Sequence, residues 1–335
     1  MPYTSAMSSA PELRRDPICG RSVIVAPARA ARPVALAGHA PRHRTNGERH
    51  PCPFCPGQEH QTPDELFALR APDTAPNAPG WFLRVVPNMY PAVRANSDAA
   101  HGSAEVLIDC PEHTDSPTDL PAHRLADVFR AYRERMLALA TDARLEHVAV
   151  FKNVGAEAGA SLGHTHSQLI ATTVIPDLMR AELAGAEAHF AATGRCAFCD
   201  LIARELECGE RVIARTERFV ALAAYAPRFA YELWVLPVAH APRYEALSDS
   251  DALELAGLVK RVLVALDVSQ ECPAYNWFVH TTPLRAGAPG HYHWHLEVLP
   301  RTSRPAGLEW GFGCHITTAR PETAAAELRA ALPSE

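Results

Sequence analysis

The sequence predicts an α+β fold made of two duplicated half-domains with antiparallel-rich sheets and few helices, and three observations carry that prediction. First, Gly290-His291-Tyr-His293-Trp-His295 stands 127 residues after Gly163-His164-Thr-His166-Ser-Gln168. The same step takes Glu105 to Glu232, His113 to His240 and Phe151 to Phe278. Second, each copy opens with a Cys-x-x-Cys, Cys52/Cys55 and Cys196/Cys199; their offset of 144 places an insertion or deletion between these pairs and the later histidines. Third, the helix-period apolar run Leu125, Val128, Phe129, Tyr132, Met136 recurs as Leu253, Leu255, Val259, Leu263. The halves are expected to span 1–178 and 179–335.

In chain order, period-two patterning predicts strands over 21–26, 82–86, 105–109, 148–153 and 166–174. Helices are expected over 121–141 and 177–193. A Pro- and His-rich stretch over 33–63 has little periodicity and holds the first Cys-x-x-Cys, so a metal would explain its order. The second half repeats the plan with strands over 211–214, 219–223, 231–236, 274–280 and 291–299, and a helix over 248–266. Beyond residue 301 the repeat ends, leaving an extended piece over 311–317 and a helix over 321–332.

With 335 residues and 47% hydrophobic content the chain suits a globular protein of two packed half-domains. No segment is apolar enough to span a bilayer, and no basic-then-apolar leader begins it, so a cytoplasmic protein is expected. In a reducing compartment, nine cysteines with two Cys-x-x-Cys pairs favour metal ligation over disulfides. The net charge of −6 excludes broad binding of a nucleic acid backbone. An anionic small substrate would instead need local cations, and Arg14, Arg15, Arg21, Arg29 and Arg32 offer guanidinium forks for phosphate. That cluster is also what composition alone would give, because Lys152 and Lys260 are the only lysines.

Cys52-Pro-Phe-Cys55 has zinc-knuckle spacing and needs two more ligands for tetrahedral coordination. The repeat nominates His113 and His164, with His50 and His60 as local rivals. The second set becomes Cys196, Cys199, His240 and His291, since both histidine pairs are 51 residues apart. For either pair the plain alternative is a turn with two buried thiols. Redox use is less favoured, because neither pair follows a strand and opens a helix.

Alternating side chains put His164, His166 and Gln168 on one face of an extended segment. With His164 on the metal, His166 is free to attack a phosphorus atom and form a nucleotidyl-histidine. Ser161 and Gln168 are placed to donate to phosphate oxygens, and the small residues of 155–163 let backbone N–H groups approach an anion. The rival nucleophile is His293, by analogy with a simple alternation of histidine and apolar residues. Against it, the repeat positions of Asn153, Ser161 and Gln168 are His280, Ala288 and His295, so the polar phosphate cradle is missing there.

These residues resemble the galactose-1-phosphate uridylyltransferase family, the transferase branch of the histidine triad superfamily. The likeness runs through Arg15-Asp16-Pro17, Ala26-Pro27 to Arg32-Pro33, Cys52 to Glu59, Thr62-Pro63, Val86 to Pro91, His113, Phe151-Lys-Asn153 and the loop to Gln168. It implies histidine-triad-like half-domains and a zinc-binding homodimer. The implied reaction is ping-pong transfer through His166 of a nucleoside monophosphate from a nucleotide sugar to a sugar 1-phosphate, as in the UDP-glucose/galactose-1-phosphate exchange. By the same likeness Asn153, Gly159, Ser161 and Gln168 contact substrate, Asn88 lies near the nucleoside, and Arg29 and Arg32 reach a partner subunit's site. Thr165 departs from the proline common between the two histidines. The second Cys-x-x-Cys resembles the ADP-glucose phosphorylase subgroup, in which both halves hold zinc. A nucleotide-sugar phosphorylase using an ADP- or GDP-sugar with inorganic phosphate is therefore the alternative. A histidine triad hydrolase and a non-catalytic nucleotide-binding protein stand behind it.

Overall fold

A computed structural model of the chain describes residues 10–31 and 52–334. Arg32 and His50 lie outside the described residues. The fold is α+β, and its centre is one ten-stranded sheet with the order β3-β4-β5-β7-β6-β11-β12-β10-β9-β8. The first half supplies β3 (Phe67–Arg70), β4 (Trp81–Pro87), β5 (Gly102–Ile108), β6 (His147–Val154) and β7 (His166–Thr172). The second supplies β8 (Val212–Arg215), β9 (Phe219–Ala223), β10 (Leu233–Pro237), β11 (Tyr275–His280) and β12 (His295–Pro300). The halves meet where β6 pairs with β11 in antiparallel register, and Phe151 lies directly opposite Phe278. Phe151 and Phe278, one pair related by the 127-residue step, thus sit on a local two-fold axis.

One face of the sheet is covered by α1 (Ala122–Leu139) and α4 (Asp249–Ser269). Both carry buried apolar residues at helical spacing, Leu125, Phe129, Tyr132 and Met136 on α1 and Leu255, Val259, Val262 and Leu266 on α4. Ser248 and Asp251 close a capping box at the start of α4. A single hydrophobic core runs under both halves, from Leu83 and Leu107 to Leu296 and Val298. Lys260 on α4 ties the helices to the preceding segment, its Nζ donating to the Leu120 carbonyl at 2.5 Å. Among the described residues no helix is long and apolar enough to cross a membrane.

The opposite face carries α2 (Asp177–Thr193) and α3 (Ala197–Cys208). A small three-stranded sheet of β1 (Glu12–Arg15), β2 (Ser22–Val25) and β13 (His315–Thr317) brings the two chain ends together. Helix α3, absent from the sequence reading, starts on Cys196 and buries Phe198, Leu201 and Ile202. The second Cys-x-x-Cys therefore does open a helix, although α2 precedes it rather than a strand. Of the segment expected to be extended over 311–317, β13 is extended and the first two residues end helix α5 (Gly307–Phe312); helix α6 (Pro321–Ala330) follows.

On β6, His147 is buried with its Nδ1 unpaired among the described residues. Burial, aided by nearby His280, pulls its pKa down from 6.5 to about 4. On acidification the unfolded chain takes up this proton first, so stability is lost as pH falls from 6.5 towards 4 and is unaffected above 6.5. His147→Gln is expected to flatten the unfolding free energy over that window by up to about 3 kcal/mol, measured by urea titration at several pH values.

Candidate active site and metal centres

The site is built where β7 begins. The connection from β6 turns through Gly155 and Gly159, whose φ values of 85° and 88° favour glycine. Asn276 on β11 fastens this loop, its Nδ2 donating to Asn153 Oδ1 at 2.7 Å and to the Ala158 carbonyl at 2.8 Å. Phe151 pairs with Gln168 across β6 and β7. Asn153 and His166 stand two residues beyond that pair, on the same face as Gln168.

His166 is buried, and its Nδ1 lies 2.8 Å from the His164 carbonyl. A carbonyl only accepts, so Nδ1 carries the proton and Nε2 keeps the free lone pair. Burial and the Lys152 ammonium hold the imidazole's pKa below its ordinary value, against the opposing pull of the His164 carbonyl. The ring is therefore neutral at pH 7, the state that attacks phosphorus. Phe54, carried between Cys52 and Cys55, packs edge-on against it with ring centroids 5.4 Å apart.

The sulfur and imidazole groups converge as the sequence predicts for the first set: Cys52, Cys55, His113 and His164 bring their ligand atoms within 4.8 Å of one another. His164 Nδ1 is 3.7 Å from each thiol sulfur and His113 Nδ1 is 3.4 Å from Cys55 Sγ. Zinc bonded to sulfur and nitrogen in a tetrahedron separates those atoms by about 3.6 Å, so the set fits that ion. His164 Nε2 is 2.8 Å from the Cys110 carbonyl, the outer hydrogen bond that fixes a ligating ring. Burial lowers the His164 pKa to about 4, keeping its nitrogen free to ligate. His60 lies outside the set.

The second set is Cys196, Cys199, His240 and His293. The expected ligand His291 is not in it and instead lies beside Phe190. Register explains the correction. Phe151 pairs with Gln168, but Phe278 pairs with Glu297, so the β11–β12 connection is two residues longer than its first-half counterpart. A 127-residue step therefore lands on His291 and Gln168 on His295, whereas the true partners of His164 and His166 are His293 and His295. The geometry repeats accordingly: His293 Nδ1 is 3.6 Å from Cys199 Sγ, its Nε2 is 3.0 Å from the Pro237 carbonyl, and His295 Nδ1 is 3.2 Å from the His293 carbonyl. His293 is thus a ligand-set residue rather than a rival nucleophile.

His295, the counterpart of His166, faces carboxylates instead of a glycine-containing loop. It joins His280, Glu182 and Glu297 in a fully buried group that could also hold a metal ion. Tyr292 donates to Glu182, and Arg228 pairs with both Glu297 and Glu232. Burial works against a charged His280, yet Glu182 and Glu297 outweigh it and raise its proton affinity. The sequence shows His280 and His295 only as the repeat positions of Asn153 and Gln168, because Glu182 on α2 and Glu297 on β12 carry no local spacing signal.

The remaining nominated residues are spread more widely. Ser161 is exposed on the loop and Gln168 half-buried beside His166. Asn88 lies at the end of β4, with its Oδ1 accepting from the Tyr90 amide at 2.9 Å, and Arg29 is exposed on the turn Pro27–Ala31. Neither hydrogen-bonds to the His166 group among the described residues.

A duplicated sheet that presents a backbone-pinned histidine beside a small-residue loop and a Cys/His set is an arrangement suited to histidine-mediated nucleotidyl transfer. The chain belongs to the galactose-1-phosphate uridylyltransferase family: the model of that family's N-terminal domain matches residues 3–176 and that of its C-terminal domain residues 182–330. It is 34% identical to ADP-glucose phosphorylase of Arabidopsis thaliana, over 97% of this chain and 94% of that protein. Identity to galactose-1-phosphate uridylyltransferase of Haemophilus influenzae is 27%, over 88% and 85%. The crystal structure of the Arabidopsis phosphorylase with bound ADP-glucose superimposes with a TM-score of 0.83, covering 96% of this chain and 99% of that one. A uridylyltransferase structure gives 0.74 at 26% identity, covering 96% and 98%.

Exchanging the ligands one at a time separates the two readings of the second set. In metal analysis of purified protein, His293→Ala is expected to lower bound zinc by about one ion per chain, and Cys55→Ala is expected to do the same at the first set. His291→Ala is expected to leave the zinc content unchanged.

Proposed function

We propose that the chain is a nucleotide-sugar phosphorylase that moves an adenylyl group from an ADP-sugar, through a covalent nucleotidyl-His166, to inorganic phosphate. The observation that carries the covalent step is the pinning of His166 Nδ1 on the His164 carbonyl, which leaves Nε2 as the nucleophile. Nε2 attacks the α-phosphorus, the bond to the bridging oxygen breaks, and sugar 1-phosphate departs. Phosphate then attacks the same phosphorus, ADP leaves and the imidazole is restored. Ser161, Gln168 and the loop at Gly159 donate to the phosphate oxygens as charge shifts. Asn153 shapes the loop, Asn88 meets the nucleoside, and Arg29 and Arg32 serve the site of a partner subunit in a homodimer. Zinc held by Cys52, Cys55, His113 and His164, and by Cys196, Cys199, His240 and His293, has a structural role; His166 needs no Lewis acid.

Choice of donor and acceptor rests on two supports: the 34% identity to the adenylyl-sugar enzyme against 27% to the uridylyl enzyme, and a complete Cys/His set in each half. Uridylyl transfer to a sugar 1-phosphate is the second reading, favoured by the family models that match both halves.

Intact-protein mass spectrometry after mixing with ADP-glucose or UDP-glucose separates these readings. An added AMP, absent in His166→Ala and discharged by phosphate, is the expected result. Added UMP discharged by galactose 1-phosphate would install the second reading. Discharge by water alone would mark a hydrolase, and no adduct with either donor would sink the covalent mechanism.

A further inference from the structure

We infer that the buried pair Lys152–Asp109 is a positioning element that clamps the strand segment carrying His166; this rests on the reading of His166 as nucleophile. Both side chains are fully buried and ion-paired on the helix-covered face of the sheet, behind the reactive ring. Lys152 Nζ also donates to the main-chain carbonyl of His166 at 2.9 Å. Asp109 accepts from Thr165 Oγ1 at 2.8 Å and from Ser167 Oγ at 3.2 Å, and its own amide donates to the Thr165 carbonyl at 3.2 Å. Tyr132 closes the far side, its hydroxyl donating to Ser167 Oγ at 2.6 Å and accepting from Trp277 Nε1 at 3.3 Å. Three consecutive residues, the nucleophile and its two neighbours, are thus each tied to one ion pair.

Such a pair is a poor way to stabilise a core. Desolvating an ammonium and a carboxylate costs several kcal/mol for each ion, and apolar residues of similar size often serve as well or better. The chain contains its own control. Strand register makes Val279 the counterpart of Lys152, Leu296 of Ser167, Trp294 of Thr165 and Pro237 of Asp109. The same architecture is therefore packed with apolar groups in the second half, where His295 meets no phosphate loop. Polar chemistry is kept only behind the histidine that must hold its aim. An imidazole on a single strand inherits every rocking of its own peptide plane, and a displacement of about 1 Å can cost about a hundredfold in rate.

Lys152→Met removes the ammonium, and Lys152→Met/Asp109→Asn also removes the carboxylate charge while keeping an acceptor for Thr165 and Ser167. Each is mixed with ADP-glucose and followed by rapid quench for nucleotidyl-His166 formation, with steady-state kcat and KM and the thermal midpoint measured alongside. The double variant is expected to unfold within a few degrees of wild type and to form the adduct about a hundredfold more slowly, with KM changed less than about threefold. A double variant that is stable and as fast as wild type overturns the clamp, leaving the pair as packing alone. Thr165→Val breaks one tie without burying a charge and decides the matter should the double variant not fold: a several-fold slower adduct supports the clamp, and an unchanged rate overturns it. A wild type that forms no adduct overturns the parent reading and the inference with it, an outcome distinct from fast variants beside an active wild type.

Discussion

Everything in this molecule hangs on the antiparallel pairing of β6 with β11. Those two strands close two five-stranded units into one sheet, and their register, with Phe151 facing Phe278, fixes the local two-fold axis. From that line outward each strand finds its counterpart: β7 and β12, β5 and β10, β4 and β9, β3 and β8. The pairing also lets Asn276 of the second half reach across to Asn153 and hold the loop of the first. The two halves therefore share a single core, and the glycine-containing loop of one is fastened by a side chain of the other.

On this symmetric frame the two ends of the sheet have diverged. Both keep a Cys/His set whose last histidine precedes a second histidine pinned by its own backbone. In the first half that second ring faces a glycine-containing loop and is backed by Lys152 and Asp109. In the second it faces Glu182 and Glu297, and the backing is apolar. Similar backbone geometry thus presents a histidine to a loop in one place and to a closed network of buried charges in the other. The difference comes from which side chains stand two positions away on neighbouring strands.

Much of this was legible in the sequence because it depended on local period and on repeated spacing. Most strands, though not β1 or β3, together with α1, α2, α4 and the first Cys/His set, follow from alternation, from the 3.6-residue period and from histidines at equal intervals. What escaped was set by tertiary register. His293 hides behind a constant step of 127 because a two-residue insertion falls between β11 and β12, inside the stretch being compared. Glu105 and Glu232 show the same trap: Glu105 pairs with Arg135 on the helix-covered face, while Glu232 pairs with Arg228 and so joins the Glu297 network on the other. Helix α3 was missed because its first turn reads as a knuckle. The Lys152–Asp109 pair was invisible since residues 43 apart in sequence carry no spacing signal.

The scarcity of lysine has a practical consequence for handling this protein. One lysine is sealed behind His166 and the other is half-buried with its amine on the Leu120 carbonyl, so almost all of the positive charge on the surface is guanidinium. Guanidinium stays protonated and is a feeble nucleophile at neutral pH. Acylating reagents, aldehyde fixatives and amine-directed cross-linkers therefore meet few side-chain amines, and a label meant for the charged surface has to be guanidinium-directed instead.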